Sequence, residues 1–550
     1  MVSTFAAAVL AALGLAGSTP LDHAAPSAEH AASPAKKAAP PAPSAFFVAG
    51  HGWGHGIGLA QYGAYGYALH GWTYDKIVAH YYPGTTLGQA QLKKVRVLLV
   101  AGAGRAVVSS PSPFTVRDGA GKVHKLPAGP QSLGPGLKLK VAAAQEAKAL
   151  PGPLVFSPGT DPLSLGRRAY RGTLRVSVSA SKLRVVNTVG LEQYLCGVVP
   201  SEMPDRWPAE ALAAQAVVAR TYALKHLHAG GDFDLYPDTR SQVYGGVGAE
   251  SPPATDAVNR TAGEVVLYQG DLADTYFFSS SGGRTANVQD VWPKAKPQPY
   301  LVSVPDPYDT LSPYHDWGPL RFSSAILGRR LHSPGKLLDL RPDVGASGRV
   351  RTLTVVGVNG ERTLAGSAVR GALGLRSTWF RIALLSLTPP TAPLVFGSQT
   401  RLLGVARGVA KATLQQRPYG GDWKPLAPLT ARNGQVAATL SPKVSTDYRL
   451  STGQLTSGVV HLSVAPLVRI AATADHASLT GIVRPALAGA PVQLQQLGQS
   501  GWITVGATMS GAGGAFTAAV QLTTGTYRAR VVAGHGFAVG VSKVLKVVVS

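Results

Sequence analysis

At 550 residues the chain is longer than one core can organise, so three or four domains are expected. Apolar residues at 45% and charged residues at 15% exclude a disordered chain, and 64 glycines with 41 prolines favour short strands joined by tight turns over long helices. A formal charge of +24 points to a polyanionic partner or to a compositional bias towards Arg and Ala. No zinc-ligand spacing, basic helix or aromatic–basic strand pattern that would read bases is present, so no nucleic-acid partner is expected and anionic wall polymers fit the charge. The single cysteine, Cys196, excludes an intrachain disulfide and lies in an apolar run that reads as core.

Taken in chain order, the first feature is the apolar run Phe5 to Ala16, of signal-peptide length and too short to span a bilayer. It predicts a leader over 1–19 and export, although no Lys or Arg precedes it. An Ala/Pro/Ser stretch over 20–44 reads as a flexible linker. A glycine- and aromatic-rich block follows from Phe46 to about Leu87, then short β-like segments over 95–190 such as Leu174-Arg175-Val176-Ser177-Val178. The one clear amphipathic helix is expected from Pro208 to about Leu227, with Pro pre-set for helix entry and Gly230-Gly231 ending it. Strands resume to about Ala383, and Pro389-Pro390 marks a boundary.

The last 160 or so residues hold a divergent repeat. Leu414-Gln415-Gln416, Trp423 and Tyr448-Arg449 recur as Leu494-Gln495-Gln496, Trp502 and Tyr527-Arg528. Period-2 strands with Gly, Pro and Asn turns predict two small immunoglobulin-like β-sandwich modules, over 393–466 and 467–550. They serve either as attachment modules for wall or carbohydrate, or as spacers.

Three segments are dense in chemistry-bearing residues. The first runs from Val185-Val186-Asn187 through Glu192-Gln193-Tyr194-Leu195 and Gly197-Val198-Val199-Pro200-Ser201-Glu202-Met203-Pro204 to Ala219-Arg220-Thr221-Tyr222. The second holds Ser241-Gln242-Val243-Tyr244-Gly245-Gly246 and Ser279-Ser280-Ser281-Gly282-Gly283-Arg284-Thr285, and the third is Gly50-His51-Gly52-Trp53-Gly54-His55-Gly56-Ile57-Gly58-Leu59-Ala60-Gln61-Tyr62-Gly63-Ala64. Glu202 is expected in a turn between a strand-like segment and the helix. There it is either a proton donor with a pKa raised by burial, or a carboxylate capping the helix. Arg220, about 18 Å along the helix from Pro208, is either a cleft residue or half of a structural ion pair. The 279–283 stretch offers hydroxyls and bare amides for a sugar or oxyanion, but not the spacing of a hydrolase nucleophile. His51 and His55 have a spacing that suits zinc only on a helix, and alternating glycines forbid a helix there.

Together these segments closely resemble the stage II sporulation protein D family, also named for an amidase enhancer, over about 45–90 and 170–383. The resemblance implies a mixed α+β, mostly β, domain over 45–385 with one prominent helix, followed by the two sandwiches. It implies peptidoglycan lytic transglycosylase activity, cutting between N-acetylmuramic acid and N-acetylglucosamine with a single glutamate, here Glu202. Arg220, Tyr244, Ser281, His55, Gln61 and Tyr62 fall on family motifs and are the candidate substrate-binding residues. The family order places the glycine–histidine block last, whereas here it comes first, as in a circular permutation. Some members bind zinc through a Cys and a His beyond the SQVY segment; no cysteine follows Cys196, so no metal and no cofactor is expected. Peptidoglycan glycan strands are the expected partner, in a secreted, wall-associated protein. The alternatives are a non-catalytic enhancer of an N-acetylmuramoyl-L-alanine amidase and a wall-bound scaffold.

Overall fold

The computed structural model describes residues 44–91, 93–141, 146–228 and 230–549. The expected leader and all of the expected linker but Ser44 lie outside them. The described chain is mostly β, with short helices, and none of its helices is long and apolar enough to cross a membrane.

The largest core spans residues 57–301. It gathers the helices α1 (Gln61–Leu69), α2 (Tyr74–Tyr81), α3 (Leu191–Glu202), α4 (Ala209–Lys225) and α5 (Pro252–Arg260). Beside them runs a six-stranded sheet whose strands Lys94–Ala103 and Lys182–Gly190 pair antiparallel. Helix α4 departs from the amphipathic expectation. It is buried on every side from Ala211 to Thr221, and its many alanines let α3, α5 and the strand Glu264–Tyr268 approach closely. Helix α3 is the element the sequence concealed. Its Val-Val-Pro run reads as strand, yet Pro200 sits inside the last helical turn. The Gly197 carbonyl there receives the Ser201 hydroxyl (2.8 Å) and the Gly245 N–H (3.1 Å).

Strand β1 (Ala45–His51) is an inner strand of a five-stranded sheet, between Asp316–Ser323 and Phe380–Leu387 and antiparallel to both. Period-2 alternation splits its side chains between two cores. Phe46 and Val48 pack with residues 317–384, whereas Ala45 and Phe47 pack with residues 385–462. The same sheet continues past Pro389-Pro390 into the strands Thr400–Arg407 and Gln435–Leu440. These face a second sheet built on Ala412–Pro418 and Thr446–Thr452. Residues 467–547 form a further pair of sheets around their own core. The repeated residues meet alike in both units. Arg449 donates to Gln415 (2.7 Å) and lies 4.1 Å over Trp423; Arg528 donates to Gln495 (2.8 Å) and lies 4.0 Å over Trp502.

Two buried ionic groups lock the site's supports. Arg220 is fully buried; it donates to both oxygens of Glu192 on α3 (2.8 and 2.7 Å) and to the carbonyls of Val258 and Glu264. It ties α3, α4 and α5 together. Asp309 gathers the Ser280 hydroxyl and the N–H groups of Ser281 and Gly282, each at 2.8 Å. Its neighbour Asp306 is fully buried, and burial together with the Asp309 charge pushes its pKa up to about 7.

Replacing Arg220 with Ala leaves Glu192 unpaired, so the urea midpoint should fall by the equivalent of about 3–5 kcal/mol. Asp306 holds a proton in the fold that the unfolded chain, with a carboxyl pKa of about 3.9, releases. Stability therefore falls as pH rises from the unfolded value towards about 7. Asp306→Asn should raise the melting temperature at alkaline pH and leave it unchanged near pH 4, and scanning calorimetry at the two pH values checks this.

Candidate active site

Glu202 is the last residue of α3, not part of a turn, and it caps nothing: α4 begins at Ala209 with no side-chain cap. The capping alternative therefore falls. Its Oε1 accepts the Val243 N–H at 2.7 Å. That bond depends on a close approach, because a side chain on Gly197 would run into the Tyr244 ring and the Gly246 carbonyl. The SQVYGG loop is pinned around it. The Tyr194 hydroxyl donates to Gln242 (3.2 Å), Gln242 donates to the Ala219 carbonyl (3.3 Å), and the Tyr244 hydroxyl donates to Asn187 (3.1 Å).

Burial raises the Glu202 pKa, against the Val243 N–H and the Gln61 side chain, which favour the ionised form. The Nε2 of Gln61 is buried and completes no full hydrogen bond. The negative end of the α3 dipole also opposes ionisation. A half-buried carboxyl whose protonated form is favoured in this way can serve as a general acid.

The carboxyl opens into a cavity of 640 Å³, within the range of small-molecule sites. Trp53, Tyr222, Tyr276, Phe278 and Trp292 supply aromatic walls, and Ser241, Ser279 and Thr239 supply hydroxyls. Among the described residues that line it, Glu202 is the only carboxylate. Two cations are present. Arg240 is paired with Asp238 (2.8 Å) and stacked on Tyr236, whereas Arg370 donates, among the described residues, to the Leu375 carbonyl alone (3.3 Å), and burial lowers its pKa.

The glycine–histidine block builds one wall of this cavity. Its backbone bonds to facing segments: Trp53 with Ser280 in both directions, Gly54 to Arg376, Leu59 to Tyr276, and Gly56 through its carbonyl to Ala286. Gly56 and Gly58 have φ of 91° and 75°. A Cβ at Gly56 would run into the Arg349 guanidinium, and one at Gly58 into the Tyr276 carbonyl. His55 lines the cavity with both ring nitrogens engaged. Its Nδ1 accepts the Ile57 N–H (3.0 Å), and Nε2–H faces the Phe277 carbonyl. Burial pushes its pKa down to about 3, so the ring is neutral. His51 bonds Asp316 at 2.5 Å instead, and the two histidines share no site.

Of the seven residues singled out by sequence, the structure brings Glu202, His55 and Gln61 to the cavity. Tyr62 packs its half-buried ring 5.0 Å from Trp207 and does not line it. Arg220, Tyr244 and Ser281 are buried and do not line the cavity. Family motifs mark scaffold and chemistry alike, which is why these three stood with the others. The amides of 281–283 are not free for an oxyanion either, since Asp309 and the Ser281 hydroxyl take them. Sequence reasoning passed over Trp53, Tyr222, Tyr276, Trp292 and Arg370. Trp53 and Tyr222 lie within motifs already marked; nothing local distinguishes Trp292 or Arg370, which arrive from distant segments.

The stage II sporulation protein family model matches residues 179–268, the segment that carries Glu202 and the SQVYGG loop. An uncharacterised protein of Brachyspira hyodysenteriae is 38% identical over 147 residues, 26% of this chain and 39% of its own length. The amidase enhancer of Bacillus subtilis is 40% identical over 116 residues, 21% of this chain and 15% of its own length. Among solved structures, a two-domain fibronectin type III segment of chicken tenascin aligns with 30% of the chain and 97% of its own at 13% identity. Its TM-score is 0.20 and carries no weight. Stage II sporulation protein D of Bacillus subtilis is 33% identical over 243 residues, 40% of this chain and 68% of that protein. The chain belongs to the stage II sporulation protein D family.

Proposed function

We propose that this protein is exported to the cell wall and cleaves peptidoglycan glycan strands between N-acetylmuramic acid and N-acetylglucosamine, as a lytic transglycosylase. The observation that carries the reading is the solitary Glu202 carboxyl, its protonated form favoured by burial, on an aromatic-lined cavity with no second carboxylate among its described lining residues. Glycosidases that use water rely on two carboxyl groups flanking the bond. With one, Glu202 protonates the leaving glycosidic oxygen as the bond to the muramyl C1 breaks. The carboxylate then takes the proton of the muramyl C6 hydroxyl as its oxygen bonds to C1, closing a 1,6-anhydro ring. No water is consumed and Glu202 ends protonated. The aromatic walls suit the apolar faces of sugar rings, and Arg370, with no acid partner among the described residues, suits a carbonyl or carboxylate of the strand.

In this reading the glycine–histidine block takes, from the N-terminal side, the place it holds elsewhere in the family, as a circular permutation would give. The domain is the segment 45–385, and the two immunoglobulin-like units hold it to wall polymers or act as spacers. The 40% identity to an amidase enhancer supports a second reading, in which the cavity binds glycan without cutting it and the protein positions an amidase.

Incubation with purified glycan strands, bare and peptide-bearing, followed by mass spectrometry, separates these. The wild type should yield 1,6-anhydromuramyl ends, and Glu202→Gln should lower the rate by about 10²–10⁴-fold. Reducing ends would make the enzyme a hydrolase, and binding without cleavage would favour the enhancer. Because the acid must be protonated, kcat/KM should fall as pH rises through the Glu202 pKa. Gln61→Leu removes a contact that favours the carboxylate, so the descending limb of the pH profile should move to higher pH.

A further inference from the structure

Trp53 does not close the cavity. It is 40% exposed and lines both the Glu202 cavity and a second depression of 560 Å³, whose other walls include Tyr314, Trp317, Leu320 and Arg376. The wall between the two is rigid. Trp53 is bonded through its N–H and carbonyl to Ser280 (2.8 and 3.0 Å), and Tyr314 meets its ring edge-on at 4.5 Å. The Arg376 guanidinium lies 3.9 Å over Tyr314 and 5.2 Å from Trp53, and the Arg376 carbonyl receives the Gly54 N–H. Arg376 forms no ion pair among the described residues, so its charge is not spent on a carboxylate of the chain.

An exposed tryptophan and a 39% exposed Leu320 beside an uncommitted cation are costly to leave in water. Aromatic rings fixed in this way offer contact area with little entropy left to lose on binding. The hollow also shares the Trp53 wall with the cavity, so a strand that crosses over Trp53 reaches both. We propose that the depression beyond Trp53 is a distal subsite that binds further saccharide units of the strand lying against Glu202. Their ring faces stack on Tyr314, and Arg376 meets their acidic substituents. The inference rests on the glycan reading of the cavity and extends it from one glycosidic bond to a length of polymer.

The test uses the full chain with Glu202→Gln, so that binding is read without turnover, and calorimetry with peptide-free strands of alternating N-acetylglucosamine and N-acetylmuramic acid. Affinity should rise by about tenfold between tetrasaccharide and octasaccharide. Added Tyr314→Ala or Arg376→Ala should reduce that gain to less than about twofold. Tyr314→Phe, which keeps the ring, should restore it, and this guards against misfolding as the cause. A length gain that survives both alanine substitutions overturns the subsite. So does a gain lost only on peptide-bearing strands, which would make the occupant a peptide. If the parent binds no strand of any length, the glycan reading of the cavity falls and the subsite with it.

Discussion

The two-sided burial of strand β1 is the constraint on which the rest of the structure depends. A strand with Phe46 and Val48 on one face and Ala45 and Phe47 on the other must lie between two packed layers, or one pair is exposed. Both of its backbone edges are paired as well, Phe46 opposing Phe322 on one side and Leu384 on the other. The segment that enters the described structure first is thus buried on both faces and paired on both edges. The glycine-rich stretch after it has one place to go, onto the segments 276–286 and 376–379, where it becomes a wall of the cavity.

The site shows how much structure is needed to hold one carboxyl in place. Glu202 touches Val243 and stands beside Gln61, and almost everything else in the motifs around it works at one remove. Asn187 holds Tyr244, Tyr194 holds Gln242, Glu192 holds Arg220, and Gly197 allows the loop to come close. Each bond fixes a backbone segment, and their sum fixes one carboxyl in a half-dry environment. Preorganisation of this kind lets a single acidic group act without a partner carboxylate.

Sequence reading found the family, the dense motifs and the C-terminal repeat, and it singled out Glu202, which lines the cavity, because those signals are local and dense. It found the predominance of strands from glycine and proline content. It missed α3, because Val198-Val199-Pro200 satisfies strand preference and only tertiary contacts at Gly197 and Ser201 make the helix worthwhile. It read α4 as amphipathic, although alanine-rich helices take burial on all sides. It placed Arg220, Tyr244 and Ser281 in the cleft, because a motif does not say whether a residue faces the ligand or holds one that does. The cavity lining outside the marked motifs was hidden because Tyr276, Trp292 and Arg370 meet Glu202 only in space.

The continuity of the β1 sheet past Pro389-Pro390 decides where the molecule can be divided. A chain stopped before Thr400 would strip Phe380–Leu387 of its neighbour and turn Leu385 and Leu387 outward on a bare edge. Such an edge is prone to pair with its counterpart in another copy. A chain stopped after Ala465 keeps that sheet and the core beneath it whole. The first sandwich is therefore part of the body that carries the cavity, whereas the second has a core of its own and meets the first through backbone bonds at Gly536 and Ala538.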